Sequence, residues 1–296
     1  MLNFLFWNIN RKPLLRSVAN LVRRHDVSVL ILAECDYPHA DVVKEVNNQA
    51  ADNQGAFGVS TPFSACPRLV VAVREPHRVS KILRESADYS ISTLESADFA
   101  DLTLAAVHFP SKLYRSEQSQ SLELVLFSTG LREVENSQGH TRSLVIGDFN
   151  MNPFEFGMVA ATGLNAVMTR QTASQEFRTH QGVRYPFLYN PMWSHFGDST
   201  HQVYPPGHEA HEPAGTCYYS AADSCWYYWN IFDQVLLRPA LLSMFRNETL
   251  KVLVDDGEAS FLSTSGRPNR KSYSDHLPIL FALSDQRGND DQSVAR

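Results

Sequence analysis

The sequence predicts an α/β fold with mixed sheets, on three observations. The chain opens as strand, helix, strand. Its middle is a series of short β-like runs with little helix between them. Further apolar runs return towards its end. Residues 2–9, apolar and aromatic, read as a buried strand. Pro13 then opens a helical pattern through Leu14, Val18, Leu21 and Val22, which stops at the charged run Arg23, Arg24, His25 and Asp26. Residues 27–33 form a second β-rich run that ends at Glu34. Residues 69–73, 79–83, 89–94 and 102–108 read as short strands, which points to antiparallel pairing and a mixed sheet. Residues 116–135 are a long helical candidate. Residues 143–146 are a strand running into Gly147-Asp148-Phe149-Asn150, and a short helix is expected after Pro153. Residues 172–230 are loop-like, rich in Pro, Gly, His and aromatics, and a loop of that length in a compact domain is expected to be functional. Strand character returns at residues 232–237, 250–254 and 277–283, and the polar stretch 284–296 reads as a flexible tail. With no repeat, heptad run or linker in view, residues 1–283 are expected to form one domain carrying 172–230 as an insert.

Composition narrows the function. Hydrophobic residues make up 43% and charged residues 20%, which excludes a disordered or fibrous chain. Lys and Arg number 26 against 32 Asp and Glu, a net charge of −6, so the molecule does not grip nucleic acid as a polycation. Any phosphate recognition must come from a local basic patch or a bound metal. The four cysteines form no C-x-x-C pair, which argues against a zinc knuckle or a thioredoxin-like motif and suits a reducing compartment. The first apolar stretch lacks a basic lead and stops at Asn8, too short for a signal peptide or a membrane span. A cytoplasmic location with no membrane span is expected.

Polar groups stand at the ends of the expected strands: Asn8, Glu34, His108, Asp148 with Asn150, Asp233, and Asp275 with His276. Strand ends in an α/β sandwich converge on one rim, where ligands bind. Gathered there, carboxylates, amides and two imidazoles without a thiolate suit a hard cation, Mg²⁺ or Mn²⁺. A hard cation beside imidazoles and a spare carboxylate suits attack of water on a phosphate ester.

The ordered set Trp7-Asn8-Ile9-Asn10, Ala33-Glu34, Val107-His108, Gly147-Asp148-Phe149-Asn150, Phe232-Asp233-Gln234 and Ser274-Asp275-His276-Leu277-Pro278 resembles the endonuclease/exonuclease/phosphatase superfamily. Each motif alone is weak. G-D-x-N followed by S-D-H-x-P is specific, and the match runs from Trp7 to Pro278. The resemblance implies a four-layer α/β sandwich, two mixed sheets face to face with helices outside. It also implies roles. Glu34 would ligate the metal, with Asn8 and Asp275 beside it. Asp148 would orient or deprotonate the attacking water, and Asn150 would hold that water or a phosphate oxygen. His276 would contact the scissile phosphate, and Asp233 would fix its tautomer. His108 matches the histidine that pancreatic-type DNases use as a second acid/base, where abasic-site enzymes often carry tyrosine.

Lys112 and Arg115 after the His108 strand, and Arg11 with Lys12 after the Asn8 strand, are candidates to clamp a substrate phosphate, against the alternative of solvated loop positions. His195, His201, His208 and His211, with Asp198 and Glu209, lack helical metal-ligand spacing and read as a polar loop. The insert's aromatics could stack bases or cover a lipid headgroup, or simply pack the insert onto the sheet. The expected function is a metal-dependent phosphodiesterase acting on nucleic acid, DNA ahead of RNA. The alternative is a phosphatase or phosphodiesterase for a small molecule or lipid headgroup. A catalytically dead phosphate-binding scaffold is disfavoured because no catalytic position is lost.

Overall fold

The computed structural model describes residues 1–49, 55–59, 65–197, 213–220 and 226–284. In chain order the first elements are β1 (Leu2–Asn8), α1 (Leu15–Arg24), β2 (Val29–Ala33), α2 (His39–Asn48), β3 (Phe57–Val59) and β4 (Val70–Arg74). Then come β5 (Arg78–Glu85), β6 (Tyr89–Glu95), β7 (Leu102–His108), α3 (Glu117–Gln138), β8 (Ser143–Asp148), α4 (Phe156–Val159), β9 (Ala166–Val167) and α5 (Arg170–Ala173). The remainder is β10 (Phe177–His180), β11 (Val183–Pro186), β12 (Leu188–Tyr189), β13 (Cys217–Tyr218), β14 (Trp229–Asn230), β15 (Asp233–Leu237), β16 (Phe245–Val252) and β17 (Ile279–Leu283), with short 3₁₀ turns at Pro191–His195 and Pro239–Leu241.

Two mixed sheets, ordered β16-β17-β1-β2-β4-β3 and β5-β6-β7-β8-β15-β12-β9, form the centre. Side-chain alternation along each strand explains the layers. Phe4 and Phe6 of β1 point between the sheets and meet Leu104, Ile146 and Val235. Leu5 and Trp7 point the other way, against Val18 and Leu21 of α1 and Val42 and Val46 of α2. On the far side, Ala105, Val145 and Leu236 pack against Leu124, Phe127 and Leu131 of α3. The result is the expected four-layer sandwich, with both faces of each sheet covered. That is why the central strands read as nearly continuous apolar runs. Among the described residues, no helix is long and apolar enough to cross a membrane.

The sequence did not announce α2. It buries only Val42 and Val46, has no side-chain cap, and is built from weak helix formers, so packing on the sheet sustains it. By contrast α3 carries its own signals. The Ser116 hydroxyl accepts from the Ser119 N–H, and Gly139 closes the helix at φ +70°. The stretch expected to be loop-like carries the β10–β11 hairpin and the β13–β14 ribbon, both too polar or too short to show period-two alternation. β16 begins at Phe245, ahead of the expected residue 250. Its early part is a bulged sheet edge with exposed Asn247 and Glu248, the polar texture that protects edges. Residues 198–212, 221–225 and 285–296 lie outside the described residues. They include His201, His208 and His211, with Asp198 and Glu209, and nearly all of the expected tail.

Beside α1, the buried Asp256 carboxylate accepts from the N–H groups of Glu258 and Ala259 and from the Asn20 amide. Burial works to raise its pKa, but these bonds and one from Ser17 outweigh it and hold the carboxyl below its ordinary value of 3.8. A depressed carboxyl contributes stability above its unfolded pKa and loses it as pH falls below. Asp256→Ala therefore costs about 1–3 kcal/mol at neutral pH. In urea titrations the gap from wild type should close as pH drops below 3.8.

Candidate active site

Sheet topology explains the convergence. β1 and β2 are parallel with Asn8 opposite Ala33, so Glu34 emerges beside Asn8. β7 and β8 are parallel with His108 opposite Asp148, and β15 runs antiparallel so that Asp233 faces Asp148 from its other side. Gly147 permits the close approach at this point, since a Cβ there would lie 1.9 Å from the Val107 carbonyl oxygen. Asp233 opens its strand, and His276 precedes the strand that runs antiparallel to β1. All these groups thus reach one rim.

His276 is fixed on three sides. Trp7 Nε1 donates to its carbonyl at 2.9 Å, and its own N–H donates to Ser274 Oγ at 3.1 Å. Its backbone also bridges Cys217. Ser274 Oγ in turn donates to the Asn8 carbonyl at 2.6 Å, so the serine of S-D-H staples the turn to the β1 terminus. The imidazole Nδ1 meets the fully buried Asp233 carboxylate at 2.9 and 3.0 Å. Its Nε2 faces Asp148 Oδ2 at 3.9 Å.

Asp148, 1% exposed, is the hub. Its Oδ2 accepts from Asn8 Nδ2 at 2.9 Å and Asn150 Nδ2 at 3.2 Å, and lies 3.9 Å from His108 Nε2. Its Oδ1 accepts from the Asn150 N–H at 2.8 Å. His108 Nε2 also lies 3.4 Å from Glu34 Oε1, and Arg11 Nε stands 3.7 Å from Glu34 Oε2. Asn10, Arg11, Glu34 and Asn150 all adopt positive φ, between 47° and 54°. For Arg11 and Glu34 this conformation is costly, and such strain gathers at functional rims.

The electrostatics follow from the contacts. The His108 hydrogen bond outweighs burial and holds the Glu34 carboxyl down at about 2. Burial works to lower His108, yet Glu34 and Asp148 raise it above an ordinary histidine. Burial opposes protonation of His276 too, but Asp233, the Cys217 thiol and Asp148 raise it well above its usual value. Full burial raises the Asp233 carboxyl above its ordinary value, and the facing His276 imidazole works against that rise.

Asn8, Glu34, His108, Asp148, Asn150, Asp233 and His276 thus form one connected network. Asp275 sits beside it, its Oδ1 accepting from Asn10 Nδ2 at 2.8 Å, and Arg11 reaches it through Glu34. Lys112 is not brought in: its Nζ donates to Glu155 at 2.6 Å. Arg115 is exposed on the following loop. Sequence reasoning gave no roles to Ser274, Asn10 and Thr216, whose hydroxyl accepts from the Asp233 N–H at 3.2 Å. Ser274 and Asn10 lay inside quoted motifs, whereas Thr216 sits in the insert, where no pattern marked it.

Donor chemistry at the rim fits a hard cation. The ionised, 24% exposed Glu34 and the half-buried Asp275 hold to the same turn of residues 8–11, and the carboxylates outnumber the basic groups facing them. Asn8 turns its Nδ2 towards Glu34 and Asp148, while its Oδ1 accepts from the Asn10 N–H. Asp148, Asp233 and His276 also place donor atoms within 4.8 Å of one another, but there the Asp233–His276 hydrogen bond already engages two of the three.

No family model and no curated protein matches the chain. Solved structures do. The endonuclease domain of TRAS1, a telomere-specific non-LTR retrotransposon, superposes with a TM-score of 0.53 at 12% identity over 97% of this chain and 100% of that one. Truncated TDP2 of Caenorhabditis elegans gives 0.53 at 13%, over 96% and 98%. An endonuclease/exonuclease/phosphatase family protein from Bacteroides thetaiotaomicron gives 0.55 at 13%, over 96% and 95%. The fold is therefore that of the endonuclease/exonuclease/phosphatase superfamily.

Proposed function

We propose that this chain, which has the endonuclease/exonuclease/phosphatase fold, is a divalent-metal-dependent phosphodiesterase that hydrolyses nucleic acid, DNA ahead of RNA, by in-line attack of water. The observation that carries the reading is the His276–Asp233 pair facing Asp148 across 3.9 Å, with His108 facing the same carboxylate and Glu34 joined to it through the Asn8 amide. The similarity to TDP2, one structure of which holds a single-stranded DNA product, supports the substrate class.

Phosphodiesters are anionic and repel hydroxide. His276, protonated and aimed by Asp233, would neutralise charge building on a non-bridging oxygen. Asp148 would accept the attacking water's proton, and Asn150 would hold that water or a phosphate oxygen. His108, whose protonated form Glu34 and Asp148 favour, would deliver a proton to the leaving oxygen. Glu34, with Asn8 and Asp275, would hold Mg²⁺ or Mn²⁺, which would supply Lewis-acid neutralisation of the phosphate. Arg11, beside Glu34 at the rim, would meet a substrate phosphate. Lys112 would first have to leave Glu155.

The reading is tested on single- and double-stranded DNA, RNA, bis(4-nitrophenyl) phosphate and a phosphomonoester, each with Mg²⁺, Mn²⁺ or chelator. Hydrolysis confined to the monoester would turn the assignment to a phosphatase. Glu34→Gln should raise the metal concentration for half-maximal activity by about tenfold or more. An unchanged metal titration would remove Glu34 as a ligand.

A further inference from the structure

We propose that the β13–β14 ribbon and the loop before His276 form a stacking shelf for unpaired bases, making the site selective for single-stranded nucleic acid. This deepens the phosphodiesterase reading and rests on it.

The ribbon is rooted in the site. Cys217, which bridges His276, pairs with Asn230, and Tyr218 pairs with Trp229. The Tyr219 N–H continues the arm by donating to the Tyr228 carbonyl at 2.9 Å. At its base the Leu277 N–H donates to the Thr216 carbonyl at 2.7 Å, and Thr216 Oγ1 accepts from the Asp233 N–H. Tyr218 is therefore one residue from the backbone partner of His276, about 3.8 Å along the chain.

The rings are not used up in packing. Tyr218 and Tyr228 stack at 30° with centroids 6.3 Å apart, and Tyr227 meets Phe154 edge-on, yet Tyr227 and Tyr228 are 55% and 53% exposed. Tyr228 also holds φ +61°, a conformation costly for an aromatic residue. Core burial does not repay that strain, because the ring stays in solvent. Trp226 contrasts with it: its indole N–H donates to the Tyr219 carbonyl and ties the arm to itself.

Charge completes the surface. Arg267 sits over the Tyr218 ring at 4.4 Å. Arg270 and Lys271 follow on the same loop, both exposed, three to six residues before Ser274–His276. Flat rings, one of them under a guanidinium, with two further cations on that guanidinium's loop, match a strand that offers base faces and phosphates together. In a duplex each base face is covered by its neighbour, so only unpaired bases can dock. A small phosphoester or a lipid headgroup brings the phosphate without the stack.

The test is binding to the full chain in chelator, where cleavage is suppressed, followed by fluorescence anisotropy. The probes are a labelled single-stranded DNA, the same strand with every base removed, and the duplex. Wild type should bind the base-bearing strand about tenfold or more tighter than the abasic one, and tighter than the duplex. Tyr228→Ala should erase the preference over the abasic strand, and Tyr228→Phe should keep it. Equal binding of base-bearing and abasic strands by wild type, or a preference surviving in Tyr228→Ala, would overturn the shelf without relying on a variant's folding alone. Wild-type hydrolysis of bis(4-nitrophenyl) phosphate with Mn²⁺ is read on the same preparation. If it persists beside base-blind binding, the shelf alone fails. If it is absent, the phosphodiesterase reading fails.

Discussion

On the proposed mechanism His276→Ala should lower kcat on a phosphodiester by about 10⁴-fold, because the variant would remove both charge neutralisation at a non-bridging oxygen and the imidazole Nε2 that faces Asp148. The variant also leaves the Asp233 carboxylate, fully buried, without its imidazole, so a loss of stability accompanies the loss of rate. Asp233→Asn separates the two. An amide at that position keeps the volume and removes the charge that fixes the Nδ1 proton, so kcat should fall while the unfolding midpoint moves less than in His276→Ala. Kinetics on bis(4-nitrophenyl) phosphate with urea titrations of each variant make the comparison. A His276→Ala enzyme keeping more than about a tenth of wild-type kcat would remove His276 from the chemistry.

The parts of this site legible in the sequence are those where a polar residue interrupts a buried strand. Asn8 ends β1 directly after the apolar run Phe4, Leu5, Phe6 and Trp7, and Asp148 ends β8, so both show as carboxylate or amide against a hydrophobic run. Glu34 follows the fully buried β2 in the same way. Asp233 was legible because a carboxylate amid aromatics needs a buried partner, and it has one. Thr216 and Cys217 were not legible. Cys217 meets His276 through one backbone bridge between distant segments, and Thr216 meets Asp233, 17 residues further on, through its hydroxyl; neither contact leaves a local periodicity. The partner of Lys112 was not legible for a related reason. A lysine after a catalytic strand looks free to meet phosphate until the fold brings Glu155 against it. The helix α2 escaped because two valines at i and i+4 fit a strand or a loop as well as a helix.

Arg238→Ala should be among the most destabilising single changes in the molecule, by about 3–5 kcal/mol. The guanidinium is 2% exposed and meets Glu135 of α3, 4% exposed, through Nε at 2.8 Å and Nη2 at 3.1 Å. Its Nη1 also donates to the carbonyls of Pro186 and Phe187, between β11 and β12. One side chain thus ties the end of β15, the outer helix and the start of the insert. Truncation strands a buried carboxylate and two carbonyls, and the penalty is their desolvation rather than the worth of the ion pair itself. That distinction has a measurable consequence. Arg238→Met combined with Glu135→Leu removes both charges and fills the space, so it should recover most of the loss, leaving chiefly the two carbonyls unpaired. Urea midpoints for the single and double variants decide the matter. A double variant as unstable as Arg238→Ala would mean that the carbonyl contacts to the insert, not the buried charge, carry the stability.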